Sequence, residues 1–260
     1  MGVITLLTDF GLEDEYAGVL KGVILSIHPA AMVVDLTHQI PPGDVEQAGW
    51  LLSWSWRWFP KGTVHVAVVD PGVGSPRKVL LVRHQGHLFL APDNGLLSRV
   101  IGSRRSVEAY WVRNRRLFLP EVSRTFHGRD LFAPVAARLA GGLEPRRVGP
   151  RIRRLVRLPE RKVRRIRGGV AGQVIQMDRF GNVVTNLPER LFTRMRGRLE
   201  IRFRGMRLPG PRRFYRAVPE GAPLGIIGSR GLLEIAVCGG SAAQRFGLRV
   251  GDPVEVVRVS

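Results

Sequence analysis

The order of secondary-structure signals along the chain limits the possible folds more than any other feature of the sequence. In the first half, short apolar runs at residues 3–8, 31–36 and 63–69 alternate with helical patterns. Strands that alternate with helices predict an α/β domain with a mostly parallel central sheet. Residues 78–90 read as an antiparallel hairpin.

Two aspartates precede helical patterns in this half. Asp44 and Asp93 each stand directly before such a pattern. An aspartate at this position accepts hydrogen bonds from the free backbone N–H groups of the first helical turn, so we predict that both are helix N-caps. Further helices are predicted at residues 13–27 and 129–139.

The second half of the chain is a series of short strands separated by turn signals, one of them at Gly205-Met206. Only residues 241–246 read as helical. This pattern predicts a smaller, mainly antiparallel all-β domain, either a barrel or a sandwich, and the fold class that we assign to it is barrel-like. The stretch between the halves is basic and contains proline, as exposed boundaries often do. We predict an N-terminal α/β domain at residues 1–160 and a C-terminal β-barrel domain at residues 165–260.

The charge of the chain is unusual: 41 basic residues stand against 21 acidic ones, which gives a net charge of +20 over 260 residues. Eleven of the basic residues fall within residues 146–167, the basic connector, where Glu160 is the only acid. A surface this basic binds polyanions at low salt. A non-enzymatic RNA-binding protein is therefore an alternative function. No aromatic residues are interleaved with the connector to stack on bases, so nucleic acid is not the expected partner.

Several classes of protein are excluded by what the sequence lacks. No run approaches the roughly 18 apolar residues that a membrane span needs. The strand pattern at residues 3–8 runs straight into Asp9, unlike a secretory leader. Cys238 is the only cysteine, which excludes an intramolecular disulfide and a multi-cysteine metal site. The histidines show no ligand spacing with carboxylates. We expect a cytoplasmic protein with no catalytic metal and no membrane partner.

Asp9 and Asp70 each follow a predicted strand of the α/β half. Ligands of open α/β sheets bind beyond the carboxyl ends of strands, so Asp9 is well placed for a ligand. An ionised carboxylate accepts hydrogen bonds from a pair of hydroxyls such as a ribose diol. For Asp9 the alternative is a helix N-cap.

The loop at residues 70–77 contains glycine and proline but matches neither a dinucleotide-binding loop nor a P-loop. Arg77 can pair with Asp70 across this loop and keep the carboxylate ionised. A purely structural ion pair is the alternative.

His127 stands directly before a predicted helix, and a histidine titrates near neutral pH, so it is a candidate for proton transfer. A structural histidine in a turn is the alternative.

Two segments of the all-β half carry side chains suited to a nucleobase. Residues 177–186 offer a carboxylate, an aromatic ring and two carboxamides. Residues 229–243 combine a polar loop, a strand and a Gly-Gly-Ser helix start. A carboxamide edge can pair with a purine, on which an aromatic ring can stack. For the first segment an ordinary hairpin is the alternative.

Taken together and in order, five segments of the chain resemble the S-adenosylmethionine (SAM) hydroxide adenosyltransferases, or SAM hydrolases, which are relatives of the fluorinating and chlorinating SAM enzymes. These segments are residues 8–11, 70–77, 126–130, 178–186 and 229–243. The resemblance implies an N-terminal α/β domain joined to a C-terminal β-barrel. It also implies a homotrimer in which each SAM site lies between the N-domain of one subunit and the C-domain of its neighbour.

The resemblance also implies a reaction in which water attacks the 5′ carbon of SAM and releases adenosine and L-methionine. No cofactor is expected because SAM is the substrate. At matching positions, Asp70, Arg77 and His127 would activate the water, with Asp70 or His127 as the proton acceptor. Asp9 would hold the ribose diol. The remaining implied contacts are Phe180 and Asn182 to adenine, Asp178 and Ser229 to the methionine part, and Tyr215, Arg230, Glu234 and the Val237 backbone around them.

Two positions separate hydrolases from halogenases within this resemblance. Halogenating relatives carry a tyrosine at the position of Asp70 and a serine at that of Gly128. An ionised Asp70 repels a halide near the reacting carbon, and Gly128 has no hydroxyl to donate to one. A SAM-dependent halogenase is therefore the less favoured alternative. Cys238 stands where asparagine is common, so a side-chain contact from this position to adenine is not expected.

Overall fold

The computed structural model describes residues 2–103, 107–193, 195 and 197–259. Its internal contacts divide the chain into two compact units, Met1–Leu158 (unit 1) and Pro159–Ser260 (unit 2). Each unit has its own hydrophobic core. The domain boundaries drawn from the sequence stay a prediction.

Unit 1 is built on a seven-stranded mixed sheet. Its strands are β1 (Val3–Thr8), β2 (Met32–Thr37), β3 (Val64–Val68), β4 (Val79–His84), β5 (His87–Pro92), β6 (Glu108–Trp111) and β7 (Arg151–Ile152). In the order β2-β1-β3-β5-β4-β6-β7, the first four strands are parallel. The hairpin β4–β5 reverses the direction, and the remaining pairs are antiparallel. The predicted α/β class is confirmed, with the parallel part confined to four strands.

Helices cover both faces of this sheet. They are α1 (Tyr16–Ile27), α2 (Val45–Ser55), α3 (Ser98–Ile101) and α4 (Ala133–Ala140). Helices α1 and α4 pack on the core that contains Ile4 and Leu6, whereas α2 and α3 pack on the core that contains Leu7 and Ala67. Successive side chains of β1 and β3 therefore enter opposite cores, which is why these strands are almost continuously apolar.

One predicted helix cap is confirmed and the other is wrong. Asp44 caps α2, because its carboxylate accepts a hydrogen bond from the Gln47 backbone N–H at 2.8 Å. Asp93 does not cap α3. Its Oδ1 instead accepts a hydrogen bond from the Val156 backbone N–H at 2.8 Å, 63 positions further along the chain. Helix α3 begins only at Ser98, beyond the reach of an Asp93 cap.

In the described residues of unit 2, an eight-stranded antiparallel sheet is accompanied by one short α-helix, α5 (Ala242–Phe246). Its strands are β8 (Arg164–Ile166), β9 (Gly169–Met177), β10 (Val183–Pro188), β11 (Arg198–Phe203), β12 (Met206–Pro209), β13 (Pro223–Ile227), β14 (Leu232–Val237) and β15 (Pro253–Val259). They follow the order β12-β11-β15-β9-β10-β14-β13, with β8 beside β9. The end strands β12 and β13 contact each other, so the sheet nearly closes. The barrel-like prediction is confirmed.

The hairpin turn between β11 and β12 lies one residue before its predicted position at Gly205-Met206. Arg204 and Gly205 occupy the turn with φ of 43° and 77°. A two-residue hairpin turn of type I′ requires positive φ at both positions. Met206 is therefore the first residue of β12, where it pairs with Phe203.

Candidate active site

A cavity of about 560 Å³ opens at the carboxyl ends of β1 and β3 in unit 1. Asp9 directly follows β1, and Asp70 follows β3. Because these strands are parallel neighbours, their carboxyl ends meet at one edge of the sheet and bring both carboxylates to the same cavity. His127 also lines the cavity, from the position before a π-helical turn at Gly128–Phe132.

Asp70, Arg77 and His127 form one hydrogen-bonded group at this cavity. Arg77 Nε lies 2.9 Å from Asp70 Oδ1 and 2.8 Å from Oδ2, and Arg77 Nη2 also donates to Oδ2. The same Nη2 lies 2.8 Å from Nδ1 of His127. The side chains of Asp70 and Arg77 are only 5% and 11% exposed. The pair is therefore shielded from the solvent that weakens surface ion pairs.

The loop at residues 70–77 is shaped by its contact with a second loop. Gly74 has a φ of 80°, a conformation that favours glycine. A Cβ at this position would overlap the backbone carbonyl oxygen of Arg124. Gly74 thus allows the loop that carries Asp70 to pack against the segment that leads to His127.

The hydrogen bond from Arg77 fixes the tautomer of His127. An arginine N–H can only donate, so Nδ1 of His127 accepts, and the neutral ring carries its proton on Nε2. Burial and the Arg77 cation lower the pKa of His127, while the carboxylates of Asp70 and Asp130 oppose this shift. The ring is therefore neutral at pH 7.

Asp9 is held by a loop and does not cap a helix. Its Oδ2 accepts a hydrogen bond from the Gly43 backbone N–H at 2.9 Å. Helix α1 begins at Tyr16, and the residue at its cap position is Glu15. The N-cap alternative for Asp9 is therefore wrong, and its carboxylate belongs to the cavity.

Three aromatic rings line the same cavity beside the carboxylates. Phe10, Tyr16 and Phe126 pack edge to face, with ring centroids 5.1 to 6.0 Å apart. Aromatic faces next to carboxylates suit a flat ligand that carries a positive charge. Tyr16 was not among the site residues predicted from the sequence. Its position as the first residue of α1, soon after Asp9, was the available signal.

In unit 2, Asp178 holds together the turn that contains Phe180 and Asn182. Asp178 Oδ1 accepts hydrogen bonds from the backbone N–H groups of Phe180 at 2.9 Å and Asn182 at 2.8 Å. Oδ2 accepts from the Asn182 carboxamide at 2.9 Å. Phe180 is 79% exposed, whereas Asn182 is buried. The structure therefore brings these three residues together in one turn and leaves the Phe180 ring open.

Glu234 lies in β14 within a second polar group of unit 2. The Tyr215 hydroxyl hydrogen-bonds to Glu234, and the charges of Arg230 and Asp178 act on its carboxylate. Burial raises the pKa of Glu234, and Asp178 adds to the shift while Arg230 opposes it. Burial also raises the pKa of Tyr215. Four of the residues predicted from the sequence therefore interact with one another through charge or hydrogen bonding: Asp178, Tyr215, Arg230 and Glu234.

The other two predicted residues of unit 2 lie at the ends of the same hairpin arm. Ser229 is exposed in the turn before β14. Val237 is the last residue of β14, and its backbone carbonyl accepts a hydrogen bond from Gly240 at 3.1 Å. Cys238, which follows it, is buried.

Within the described ranges, no group of three or more histidine, cysteine, aspartate or glutamate side chains is placed to hold a metal ion. Among the helices of the same part of the chain, none combines the length and apolar character of a transmembrane segment.

Family models cover most of the chain. Residues 4–149 match the SAM hydroxide adenosyltransferase N-terminal domain, and residues 172–255 match the C-terminal domain. The chain belongs to the SAM hydroxide adenosyltransferase family. The resemblance found in the sequence is confirmed.

Individual members of the SAM hydroxide adenosyltransferase family and their relatives agree with this assignment. A Thermus thermophilus protein named (R)-S-adenosyl-L-methionine hydrolase is 40% identical, over 99% of this chain and 100% of the relative. A fluorinase from an Actinoplanes species is 29% identical, over 98% of this chain and 97% of the relative. The crystal structure of an uncharacterized conserved protein from Thermotoga maritima is 38% identical, with a TM-score of 0.93 over 98% of this chain and 100% of that one.

Proposed function

We propose that this protein hydrolyses SAM to adenosine and L-methionine. The observation that carries the proposal is the hydrogen-bonded group of Asp70, Arg77 and His127 at a cavity between carboxyl strand ends. Its support from relatives is the (R)-S-adenosyl-L-methionine hydrolase that is 40% identical over the whole chain. The proposed substrate therefore has the R configuration at sulfur.

In the proposed reaction, a water molecule attacks the 5′ carbon from the side opposite to sulfur. The C–S bond breaks with its electron pair on sulfur, so methionine leaves as a neutral thioether and no general acid is required. The attacking water must be placed in line and must lose a proton. Correct placement contributes roughly 7–11 kcal/mol, and general-base assistance contributes about 10²–10⁴-fold.

We assign the proton acceptor to Asp70. The Nδ1 lone pair of His127 is occupied by the Arg77 N–H, so the neutral ring offers only its Nε2–H as a further polar contact. A carboxylate can accept about four hydrogen bonds, and Asp70 therefore keeps acceptor capacity after it binds Arg77. In this assignment His127 orients Arg77, and Arg77 orients the carboxylate.

Two features favour water over a halide as the nucleophile. The Asp70 carboxylate lines the cavity, and its charge repels an anion at the reacting carbon. A Cβ at Gly128 would lie only 3.2 to 3.4 Å from Phe10, Phe126 and Leu20. This crowding disfavours the hydroxyl-bearing side chain by which halogenating relatives are expected to hold a halide. The fluorinase relative is also the more distant one, at 29% identity.

The rest of the substrate is assigned by the same proposal. Asp9 holds the ribose diol in the cavity of unit 1. In the homotrimer that we propose, a neighbouring subunit supplies the unit 2 residues, and the exposed Phe180 ring supports a stacking role on adenine. The unit 2 residues are Phe180 and Asn182 toward adenine, Asp178 and Ser229 toward methionine, and Tyr215, Arg230, Glu234 and Val237 around them. A cytoplasmic location without a cofactor completes the proposal.

The direct test is incubation of the purified protein with SAM, followed by chromatography of the products. We expect adenosine and L-methionine in equal amounts. Chloride or fluoride is added in parallel, and a 5′-halogenated adenosine would identify a halogenase instead. If neither product forms across a reasonable range of temperature and pH, SAM is not the substrate.

The RNA-binding alternative rests on the basic connector. Arg153, Arg154, Arg164 and Arg165 are exposed within it. An RNA-binding protein would retain RNA with a steep dependence on salt concentration. Release at moderate salt would indicate that the charge alone causes retention.

A further inference from the structure

Asp130 is a fully buried carboxylate three residues after His127, within the π-helical turn Gly128–Phe132. The proposed reaction does not use it directly. A buried charge is costly unless hydrogen bonds replace the water that it has lost. Such turns also occur frequently at functional sites. The partners of Asp130 therefore indicate what it does.

These partners come from the turn itself and from the segment that leads into it. Asp130 Oδ2 accepts a hydrogen bond from the Ser123 backbone N–H at 2.8 Å, and Oδ1 accepts one from Arg129 Nε at 2.6 Å. The Ser123 hydroxyl also donates to the carboxylate, while its oxygen accepts from the Phe126 backbone N–H at 2.9 Å. Burial alone would raise the pKa of Asp130, but these hydrogen bonds outweigh burial and lower it. Asp130 is therefore ionised at neutral pH.

Ser123 in turn contacts the ring of His127. The backbone carbonyl of Ser123 lies where it can act as a hydrogen-bond acceptor for this ring, and it raises the pKa of His127 against burial and the Arg77 cation. Because Nδ1 is occupied by the Arg77 N–H, the nitrogen that donates to Ser123 is Nε2. His127 is thus held at both ring nitrogens. One hydrogen-bonded path runs from Asp130 through Ser123, His127 and Arg77 to Asp70.

We propose that Asp130 is a positioning residue that acts through Ser123 to hold His127 in the Nε2-protonated tautomer, with Nδ1 turned toward Arg77. A ring protonated on Nδ1 would direct an N–H at the Arg77 N–H and lose that contact. The guanidinium would then no longer be fixed against Asp70. The expected effect on turnover rests on the proposed function, whereas the tautomer itself does not.

The test is a nitrogen-15 NMR spectrum of the full-length protein labelled at histidine. The His127 resonances are assigned by their absence in His127→Gln. In the wild type we expect the Nε2–H tautomer around neutral pH and a pKa below the ordinary histidine value. In Asp130→Asn, which keeps the size of the side chain but removes its charge, we expect a mixture of tautomers. For SAM hydrolysis by this variant, we expect kcat to fall roughly 10- to 100-fold with little change in KM.

A second variant and a matched control separate positioning from general stability. Ser123→Ala removes only the hydroxyl, so we expect a smaller change in the His127 tautomer population in the same direction. If Asp130→Asn does not fold, Ser123→Ala is the variant that tests the proposal. Asp252→Asn is the control, because Asp252 Oδ2 accepts from the Arg249 backbone N–H at 2.9 Å and pairs with Arg204 at 3.3 Å. It should leave the His127 spectrum and kcat unchanged.

An unchanged His127 tautomer in folded Asp130→Asn would overturn the proposal, even if that variant were less stable. A shifted tautomer in a protein that does not hydrolyse SAM would refute the proposed function and leave the positioning role intact. A shifted tautomer together with a lower kcat would support both.

Discussion

Two histidines of unit 1, the half-buried His127 and the buried His65, lie in surroundings that differ in charge. At the cavity, His127 contacts the Arg77 cation, and the carboxylates of Asp70 and Asp130 oppose the lowering of its pKa. In β3, His65 has no carboxylate among the groups that act on its pKa, and burial lowers that pKa to about 3. Burial and the neighbouring His87 therefore leave the His65 ring neutral. At His127, the hydrogen bond from the Arg77 cation instead gives the ring a defined tautomer and a role in orienting Arg77.

The second surrounding is a row of neutral groups inside the sheet. Thr5 Oγ1 lies 2.8 Å from His65 Nδ1, and His65 Nε2 lies 3.2 Å from His87 Nδ1. Phe89 stacks on His65 with the ring centroids 4.9 Å apart. Burial and the nearby Lys61 cation lower the pKa of His87. These contacts satisfy buried polar atoms but do not stabilise a proton, so the row is structural.

The largest expected effect comes from removing the acid of the cavity group. Asp70→Ala should lower kcat for SAM hydrolysis by about 10²–10⁴-fold, the range of general-base assistance. The variant should keep its fold, but its thermal unfolding midpoint should fall, because the shielded Arg77 cation loses its carboxylate partner. Product chromatography and thermal unfolding by circular dichroism measure the two quantities.

Asp252→Ala is the matched control for this substitution, since it also removes a carboxylate that pairs with an arginine. It should retain full activity. Normal turnover by Asp70→Ala would mean that another group accepts the proton. The contacts of His127 and Arg77 would then be structural, like those of His65.

The next effect is the pH dependence of the reaction. The pKa of His127 is lowered, so the ring stays neutral at pH 7 and accepts the Arg77 N–H. As the pH falls through this lowered pKa, the protonated ring can no longer accept. We expect kcat/KM to fall on the acid side by up to about tenfold per pH unit, with a midpoint below about 6.5.

His127→Gln sharpens this pH test. The glutamine carbonyl can still accept from Arg77 but does not titrate. We expect a lower kcat and the loss of the acid limb that His127 causes in the wild type. If kcat/KM of His127→Gln still fell at the same acidic pH as in the wild type, a group other than His127 would cause that fall.

Sequence reasoning predicted those contacts that stay within a few residues. The Asp44 cap is local, and the Asp70–Arg77 pair closes a single loop. Asp93 was misjudged because its carboxylate binds Val156, which is far along the chain, and no local pattern records such a contact.

The role of Asp130 was also missed, although the sequence analysis included its segment. Its spacing of three residues from His127 was visible, but its partner Ser123 lies in a loop without a periodic pattern. The fold class followed from periodicity. The link between His127 and Arg77 was implied only by the resemblance, because it depends on how two distant loops pack.

The smallest effect tests the structural histidines. The folded-state pKa of His65 is about 3, below its ordinary value of about 6.5. The unfolded chain therefore binds a proton that the folded chain does not, and stability is lost as the pH falls from about 6.5 toward 3, by up to about 1.4 kcal/mol per pH unit. His65→Leu should cost about 1–3 kcal/mol at pH 8, because Thr5 and His87 lose a partner. It should also flatten the acid dependence measured by urea unfolding. His127→Gln should flatten it less, since carboxylates oppose the lowering of that pKa. If His127→Gln flattened it more, His127 would be the more strongly neutralised of the two, and the contrast drawn from their neighbours would be reversed.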